Sequence, residues 1–100
     1  MKLMTAIVRT TSLDNIVKSL EDIDISGMTI SEIKGIGEET PLFKPYNIHS
    51  RIDLFVPDEK VDNIADVILR NAHTGLAGDG LISVRPVDYV IKIRTKETFR

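Results

Sequence analysis

The chain has 100 residues, of which 42% are apolar and 28% charged, with a formal net charge of −2, and this composition is typical of one globular domain. It lacks the basic excess of most nucleic-acid-binding domains, and without cysteine it has neither disulfides nor a thiol nucleophile. No apolar run approaches the roughly 20 residues of a membrane helix, so we expect a cytoplasmic protein without a signal peptide or direct membrane insertion.

The first half of the chain predicts a strand, a helix and a second strand. Residues 3–8 have the apolar character of a strand, and Ser12 or Thr11 is expected to cap the helix that follows. One face of this helix is apolar at helical spacing, at Leu13, Ile16, Val17, Leu20 and Ile23. A second strand is predicted over 28–37, with glycines that loosen its end.

The second half of the chain repeats this order. Alternating apolar residues predict a strand over 50–56, and Asp58 is expected to cap the next helix. The apolar face of that helix comprises Val61, Ile64, Ala65, Ile68 and Ala72. Two further strands are predicted, over 81–87 and over 89–94.

The order β-α-β followed by β-α-β predicts an α+β fold. At this length it is typical of a single ferredoxin-like domain over residues 1–100, with an antiparallel sheet and both helices on one face. The helix-free residues 37–49 form the longest predicted connection, between two strands that a tight turn could otherwise join. Long connections in small domains are often functional, so we expect a function for this loop.

Residues 74–80, TGLAGDG, hold three of the six glycines of the chain. Glycine adopts positive φ at little cost, and successive backbone N–H groups in such a segment can surround an anion. The segment is therefore a candidate phosphate site, in which Asp79 would accept a hydrogen bond from a ribose or a base. The alternative is a structural turn, with Gly75 ending the helix and a tight turn at Asp79 and Gly80. The segment lacks the Lys-Ser/Thr of a P-loop, and it leads from a helix into a strand, so on its own it favours the structural turn.

Two cations near the end of the chain bear on this choice. Lys92 and Arg94 are two positions apart on the predicted last strand, which would place both side chains on one face. Adjacent cations repel unless solvent or an anion separates them, so the pair indicates either a solvated edge or an anion site. Together with the glycine segment, the pair favours an anionic ligand.

Several segments of the chain carry a resemblance to a known family. They are AIVR at 6–9, LDNI at 13–16, GMTISEIKGIG at 27–37, VPDEKVD at 56–62, TGLAGDGLISV at 74–84 and VIKIRT at 90–95. In this order and spacing they resemble the PII signal-transduction (nitrogen regulatory) proteins, from residue 1 to about residue 96, and the chain looks like a divergent PII-like member.

This resemblance implies an assembly, a ligand and a role. PII proteins are homotrimers of ferredoxin-like subunits that bind ATP or ADP in clefts between neighbouring subunits. A long loop between their second and third strands contacts a regulated membrane transporter or metabolic enzyme, and many members bind 2-oxoglutarate beside Mg-ATP at its base. By resemblance, we expect this chain to sense adenine nucleotides and to regulate such a partner in nitrogen control, without being an enzyme.

The resemblance also assigns residues to a nucleotide site and to a partner loop. Gly78, Asp79 and Gly80 match the phosphate loop, Arg94 matches a phosphate-binding arginine, and Asp53 stands where an acidic neighbour of the base or ribose usually lies. The full nucleotide-binding set is Ile7, Thr29, Gly35, Ile36, Gly37, Asp53, Gly78, Asp79, Gly80, Lys92 and Arg94. The partner-loop set is Glu38, Glu39, Phe43, Lys44, Tyr46 and His49.

The chain also departs from the family pattern. Its partner loop is about nine residues shorter than usual by alignment of the motifs on either side. Leu81 replaces a lysine of the phosphate loop, Glu38 replaces an arginine, Glu39 replaces a glutamine and His49 replaces a lysine. Each lost cation removes a charge-assisted bond worth roughly 1.5–3 kcal/mol. We therefore expect weaker ATP binding than usual, with ADP or AMP competing well, Mg only with ATP, and 2-oxoglutarate binding doubtful.

Other readings of the sequence stay open. The residues around Tyr46 do not match the modified tyrosine of some PII proteins, and His49 and His73 lack metal-site spacing, so we expect neither a modification nor a metal there. The principal alternative function is a PII-like sensor of bicarbonate or another small anion, outside nitrogen control. A trimeric metal-tolerance or structural protein, or a slow ATP-hydrolysing enzyme, has less support because no suitable ligands or catalytic base are evident.

Overall fold

The computed structural model describes residues 1–25, 27–37 and 46–100. Four residues predicted for the partner loop lie outside the described residues: Glu38, Glu39, Phe43 and Lys44. Among the described elements, neither helix combines the length and the apolar character needed to cross a membrane.

The described residues form two helices and a four-stranded antiparallel sheet. The main elements are β1 (Lys2–Val8), α1 (Leu13–Asp22), β2 (Met28–Gly35), β3 (Asn47–Val56), α2 (Val61–Ala72), β4 (Gly80–Pro86), β5 (Val90–Ile91) and β6 (Thr98–Phe99). The sheet has the order β2-β3-β1-β4, and β5 and β6 form a separate two-stranded sheet. This is the predicted ferredoxin-like α+β fold, which is confirmed.

The core lies between the four-stranded sheet and the two helices. Alternate residues of β1 and β3 are buried against the helices, as the two-residue period of a strand requires. The buried apolar residues are Met4, Ala6, Val8, Ile16, Leu20, Ile52, Leu54, Val56, Ile64, Val67, Ile68 and Ala72. Each large side chain among them contributes about 1.5–3 kcal/mol by leaving water. The other sheet face has no helix against it, and Phe55 on that face is exposed.

Both helices begin differently from the prediction. Each is entered through a 3₁₀ turn, over Thr10–Ser12 and over Asp58–Lys60, and no side chain caps either helix. Capping by a side chain needs an extended backbone at the cap residue. Ser12 is instead already helical in φ and ψ, so its hydroxyl does not reach the free N–H groups. The carboxylate of Asp58 accepts a hydrogen bond from the Met1 ammonium at 2.8 Å.

Strand β3 begins three residues earlier than predicted, at Asn47. Its first residues pair with the end of β2, and the register places Ile33 opposite His49 and Gly35 opposite Asn47. The prediction of His49 as a loop residue was therefore wrong, because it lies within a strand and is buried. The connection between β2 and β3 is confined to residues 36–46.

The predicted final strand over 89–94 was also wrong in extent. Only Val90–Ile91 is a strand, and it pairs with Thr98–Phe99 to form a short hairpin. The backbone turns between them because the N–H of Lys92 donates to the carbonyl of Glu97 and the N–H of Lys96 donates to the carbonyl of Lys92. Lys92 and Arg94 are consequently not neighbours on one face of a strand.

Candidate functional site

A cleft of about 550 Å³ opens at one end of the four-stranded sheet. It lies where β1 and β2 end and where β3 and β4 begin, so the sheet topology brings four separate segments together. The cleft is lined by Ile7, Ile33, Lys34, Gly35, Ile36, His49, Gly78, Gly80 and Leu81. Five residues of the predicted nucleotide-binding set therefore meet in one cavity, whose volume is in the range of small-molecule sites: Ile7, Gly35, Ile36, Gly78 and Gly80.

The glycines of the 74–80 segment are required by its backbone. The backbone φ values are 87° at Gly75, 95° at Gly78 and 99° at Gly80, and residues other than glycine rarely adopt such values. At Gly80 a Cβ atom would lie 1.7 Å from the carbonyl oxygen of Ile7, so β4 can start beside β1 only with glycine. The alternative interpretation of Gly75 as the helix cap is wrong, because α2 ends at Ala72 with His73 as its cap residue.

Asp79 holds the glycine segment closed from within. Its Oδ2 atom accepts hydrogen bonds from the backbone N–H groups of Thr74 and Gly75, each at 2.8 Å. Its Oδ1 atom accepts from the Thr74 hydroxyl and, at 3.5 Å, from Nη2 of Arg9. The imidazole of His73 lies 3.9 Å from Oδ2. The carboxylate is thus engaged by the loop itself, which supports a role for Asp79 in shaping the segment.

The surroundings of Asp79 keep it charged. The hydrogen bonds from the Thr74 hydroxyl, the Thr74 amide and the Gly75 amide, together with the charge of Arg9, hold the pKa of its carboxyl well below the ordinary range. A carboxylate that is ionised at every physiological pH can close the loop under all of those conditions.

Thr29 and Asp53 lie on the open face of the sheet, away from the cleft lining. They are cross-strand partners, and Asp53 also pairs across the sheet with Thr5. Its carboxylate accepts hydrogen bonds from the Thr5 hydroxyl at 2.6 Å and from Nε of Arg51 at 3.0 Å. Burial raises the pKa of Asp53, but these bonds and the charges of Arg51 and Arg85 outweigh burial and hold the pKa below its ordinary value.

Asp53→Asn is expected to lower the free energy of unfolding at neutral pH by about 1 kcal/mol, because the amide is a poorer acceptor for Thr5 and Arg51. The pKa of Asp53 is lower in the folded state than its unfolded-state pKa of about 3.9. The stabilisation is therefore present at pH above the unfolded-state pKa and is lost as the pH falls through the folded-state pKa. Urea unfolding of both proteins from neutral to acid pH should show the difference shrinking as acid is added. Asp88→Asn, at an exposed position, is the control, and a pH-independent difference would contradict the assignment.

Lys92 and Arg94 lie in the C-terminal hairpin and do not line the cleft of their own chain. The ammonium group of Lys92 lies over the Phe99 ring, 5.3 Å from its centroid.

Gly37 follows directly after Ile36, at the point where the chain leaves the cleft. Two of the predicted partner-loop residues are described. The Lys34 ammonium lies over the Tyr46 ring, 4.6 Å from the ring centroid, and His49 lines the cleft.

Sequence reasoning missed several residues of the site. Ile33 and Lys34 line the cleft because β2 runs to its rim, and Thr74 and Arg9 hold the glycine segment. Thr74 lies in the TGLAGDG segment five residues before Asp79, a spacing that permits a side-chain bond within a loop. Arg9 offered no such signal, because its contact spans most of the chain.

No group of three or more histidine or acidic residues able to hold a metal occurs in the ranges that the structure describes.

The fold and the site define a class of protein: a ferredoxin-like subunit with a cleft, bordered by glycines, at the end of its sheet. Comparison of the sequence with known proteins identifies the family. The family model described as Nitrogen regulatory protein P-II matches residues 1–97, and the chain belongs to this family of regulatory signalling proteins. The resemblance predicted from the motifs is confirmed.

Individual relatives agree with this assignment. The chain is 40% identical over 106 residues to Nitrogen regulatory protein P-II 1 of Escherichia coli, a match that covers 97% of this chain and 95% of that protein. The same values hold for Nitrogen regulatory protein P-II 1 of Salmonella typhimurium and for Nitrogen regulatory protein P-II of Haemophilus influenzae. The alignment is 106 positions long, whereas 97% of this 100-residue chain is 97 residues. The relatives therefore have about nine more residues than this chain over the matched span.

Proposed function

We propose that this chain is a PII-like signalling subunit that binds an adenine nucleotide in the cleft at the end of its sheet. It regulates a membrane transporter or a metabolic enzyme through the connection between β2 and β3, as part of nitrogen control in the cytoplasm. The observation that carries the proposal is the meeting of five residues of the predicted nucleotide site in one cleft.

The chemistry of the cleft suits a nucleotide. The side chains of Ile7, Ile33 and Ile36 offer an apolar wall against which a planar base can pack. Gly78 and Gly80 let the backbone approach a phosphate closely, because no Cβ atom intervenes. Lys34 adds one cationic group to the rim. The base and the phosphates would therefore meet different parts of the same cleft.

A second subunit would complete the site. The hairpin with Lys92 and Arg94 carries Ile93, whose side chain is 93% exposed, and such a group is normally covered by a partner. The open sheet face, with its exposed Phe55, offers a second surface for association. A homotrimer, in which the hairpin of one subunit brings its cations to the phosphates in a neighbouring cleft, accounts for both features. It also explains why Lys92 and Arg94 do not line the cleft of their own chain.

The charges around the cleft set the ligand order. Leu81, at the rim, is half-exposed and supplies no charge where the family resemblance places a lysine. The terminal phosphate of ATP gains least from such a site, so ADP should bind at least as well as ATP, and AMP should compete. Mg would enter with ATP, and 2-oxoglutarate should bind weakly or not at all. No step in this role needs a catalytic residue.

Calorimetric titration of the purified protein with ADP, ATP and AMP, each with magnesium and with or without 2-oxoglutarate, tests the proposal. We expect micromolar binding at about one nucleotide per chain, with ADP equal to or tighter than ATP. Light scattering on the same samples should give the mass of three chains. If no nucleotide binds and bicarbonate does, the alternative of a PII-like sensor of a small anion replaces this one.

A further inference from the structure

Arg9 connects the end of the sheet to the glycine segment. It is the first residue after β1, and its Nη2 atom donates to the carbonyl oxygen of Ala77 at 2.6 Å and to Oδ1 of Asp79 at 3.5 Å. These contacts span about 70 positions of sequence, so they join the segment to a different part of the fold. The side chains of Arg9 and Asp79 are 32% and 21% exposed, so water screens this ion pair less than it would a pair of fully exposed side chains.

The contact with Ala77 has a direct consequence for the next residue. The carbonyl of Ala77 and the N–H of Gly78 belong to one peptide group, and in a trans peptide they point in opposite directions. No peptide bond in the described residues is cis. When Arg9 holds the carbonyl on one side, it therefore fixes the direction of the Gly78 N–H on the other side, and Gly78 lines the cleft.

The remaining bonds of the segment leave this N–H group available. Asp79 accepts from the amides of Thr74 and Gly75, and the Leu76 amide donates to the Thr74 hydroxyl. Within the described part of the chain, the amide of Gly78 donates to no acceptor. A cation on the carbonyl also polarises the peptide, which strengthens its N–H as a donor to an anion.

We propose that Arg9 is a positioning residue for the phosphate site: it orients and polarises the Gly78 N–H toward a phosphate without contacting the ligand itself. The inference rests on the proposed function for the identity of the ligand, but the geometry of the peptide group is independent of it. Arg9 differs in this from Lys92 and Arg94, whose predicted role is direct contact with phosphate.

The test compares Arg9→Gln with the wild type and with Arg70→Gln. Arg70 is the matched control because it is an arginine on the same chain that donates to a backbone carbonyl, that of Asp66, and it does not line the cleft. Arg9→Gln is expected to weaken ADP binding about tenfold and adenosine binding hardly at all, because only ADP presents a phosphate to Gly78. Arg9→Lys, which keeps the charge but loses the planar fork, should recover part of the affinity. A purely structural ion pair would weaken both ligands alike and would lower the thermal stability instead.

A second readout separates this inference from the proposed function. The ¹H–¹⁵N signal of the Gly78 amide is followed while inorganic pyrophosphate is added to each protein. We expect a downfield shift in the wild type and in Arg70→Gln, and a clearly smaller shift in Arg9→Gln. If ADP fails to bind the wild type but this pattern holds, the proposed function fails and the role of Arg9 stands. If the Gly78 signal ignores pyrophosphate, or responds equally in Arg9→Gln, the role of Arg9 is overturned.

Discussion

Replacing Gly80 with alanine is expected to lower the free energy of unfolding by about 3 kcal/mol or more. The added Cβ atom would lie 1.7 Å from the carbonyl oxygen of Ile7 and 2.8 Å from its carbonyl carbon, and both are backbone atoms that cannot rotate away. Gly80 also has a φ of 99°, which alanine adopts only with strain. Strand β4 would have to separate from β1 at its first residue.

Urea unfolding followed by circular dichroism measures this effect, and Gly27→Ala is its control. A Cβ atom at Gly27 has no neighbour within 4 Å, so the control should change stability by no more than about 0.5 kcal/mol. Equal stability of the two variants would mean that the start of β4 can move without cost. It would also weaken the case for the cleft, because Gly80 forms part of its lining.

Much of the fold could be predicted from the pattern of apolar residues. The alternation in β1 and β3 and the helical spacing in α1 and α2 identify the buried faces, because burial of apolar area dominates the choice of face. Ile16, Leu20, Ile64 and Ile68 are buried as their spacing predicts. The order of the elements then limits the topology to few arrangements, and the ferredoxin-like one is found.

The errors of prediction share a physical cause, which is that local sequence does not report tertiary pairing. His49 follows a loop-like sequence, yet it is held in β3 because Ile33 pairs with it across the sheet. The apolar residues of 89–94 predict a short strand over all six positions, but main-chain bonds from Lys92 and Lys96 close a turn within this segment instead. Chain pairing decides both cases, and it depends on residues distant in the sequence.

The candidate site shows the same division. The glycines of the cleft could be found from the motif, because their backbone role leaves a mark in the sequence. The hydrogen bonds of Asp79 to the loop amides could not, because the motif does not show which groups a carboxylate bonds within its own loop. Arg9 was hidden for a different reason: it acts through the carbonyl of Ala77, and a backbone acceptor has no residue type to reveal it.

Leu81→Lys is expected to raise the affinity for ATP by about tenfold or more, and the affinity for ADP by less. Leu81 lies on the rim of the cleft beside Gly80 and opposite Ile7 in the β1–β4 pairing. It is 57% exposed and belongs to an edge strand, so a lysine there can reach the phosphates without a buried charge or a loss of packing. The new cation would restore the charge-assisted bond to phosphate that the family resemblance associates with this position.

Leu69→Lys is the matched control for this gain. Leu69 is 51% exposed and lies on α2, and it is not among the residues that line the cleft. A lysine at this position adds the same charge as a lysine at position 81. Calorimetric titration with ATP, ADP and adenosine should show the gain only in Leu81→Lys and only for the phosphorylated ligands, and salt should reduce it because part of the rim is in water. An equal gain in both variants would indicate a general effect of charge on an acidic protein. No gain in either would mean that the phosphates do not reach the start of β4, and the nucleotide would have to be placed elsewhere on the subunit.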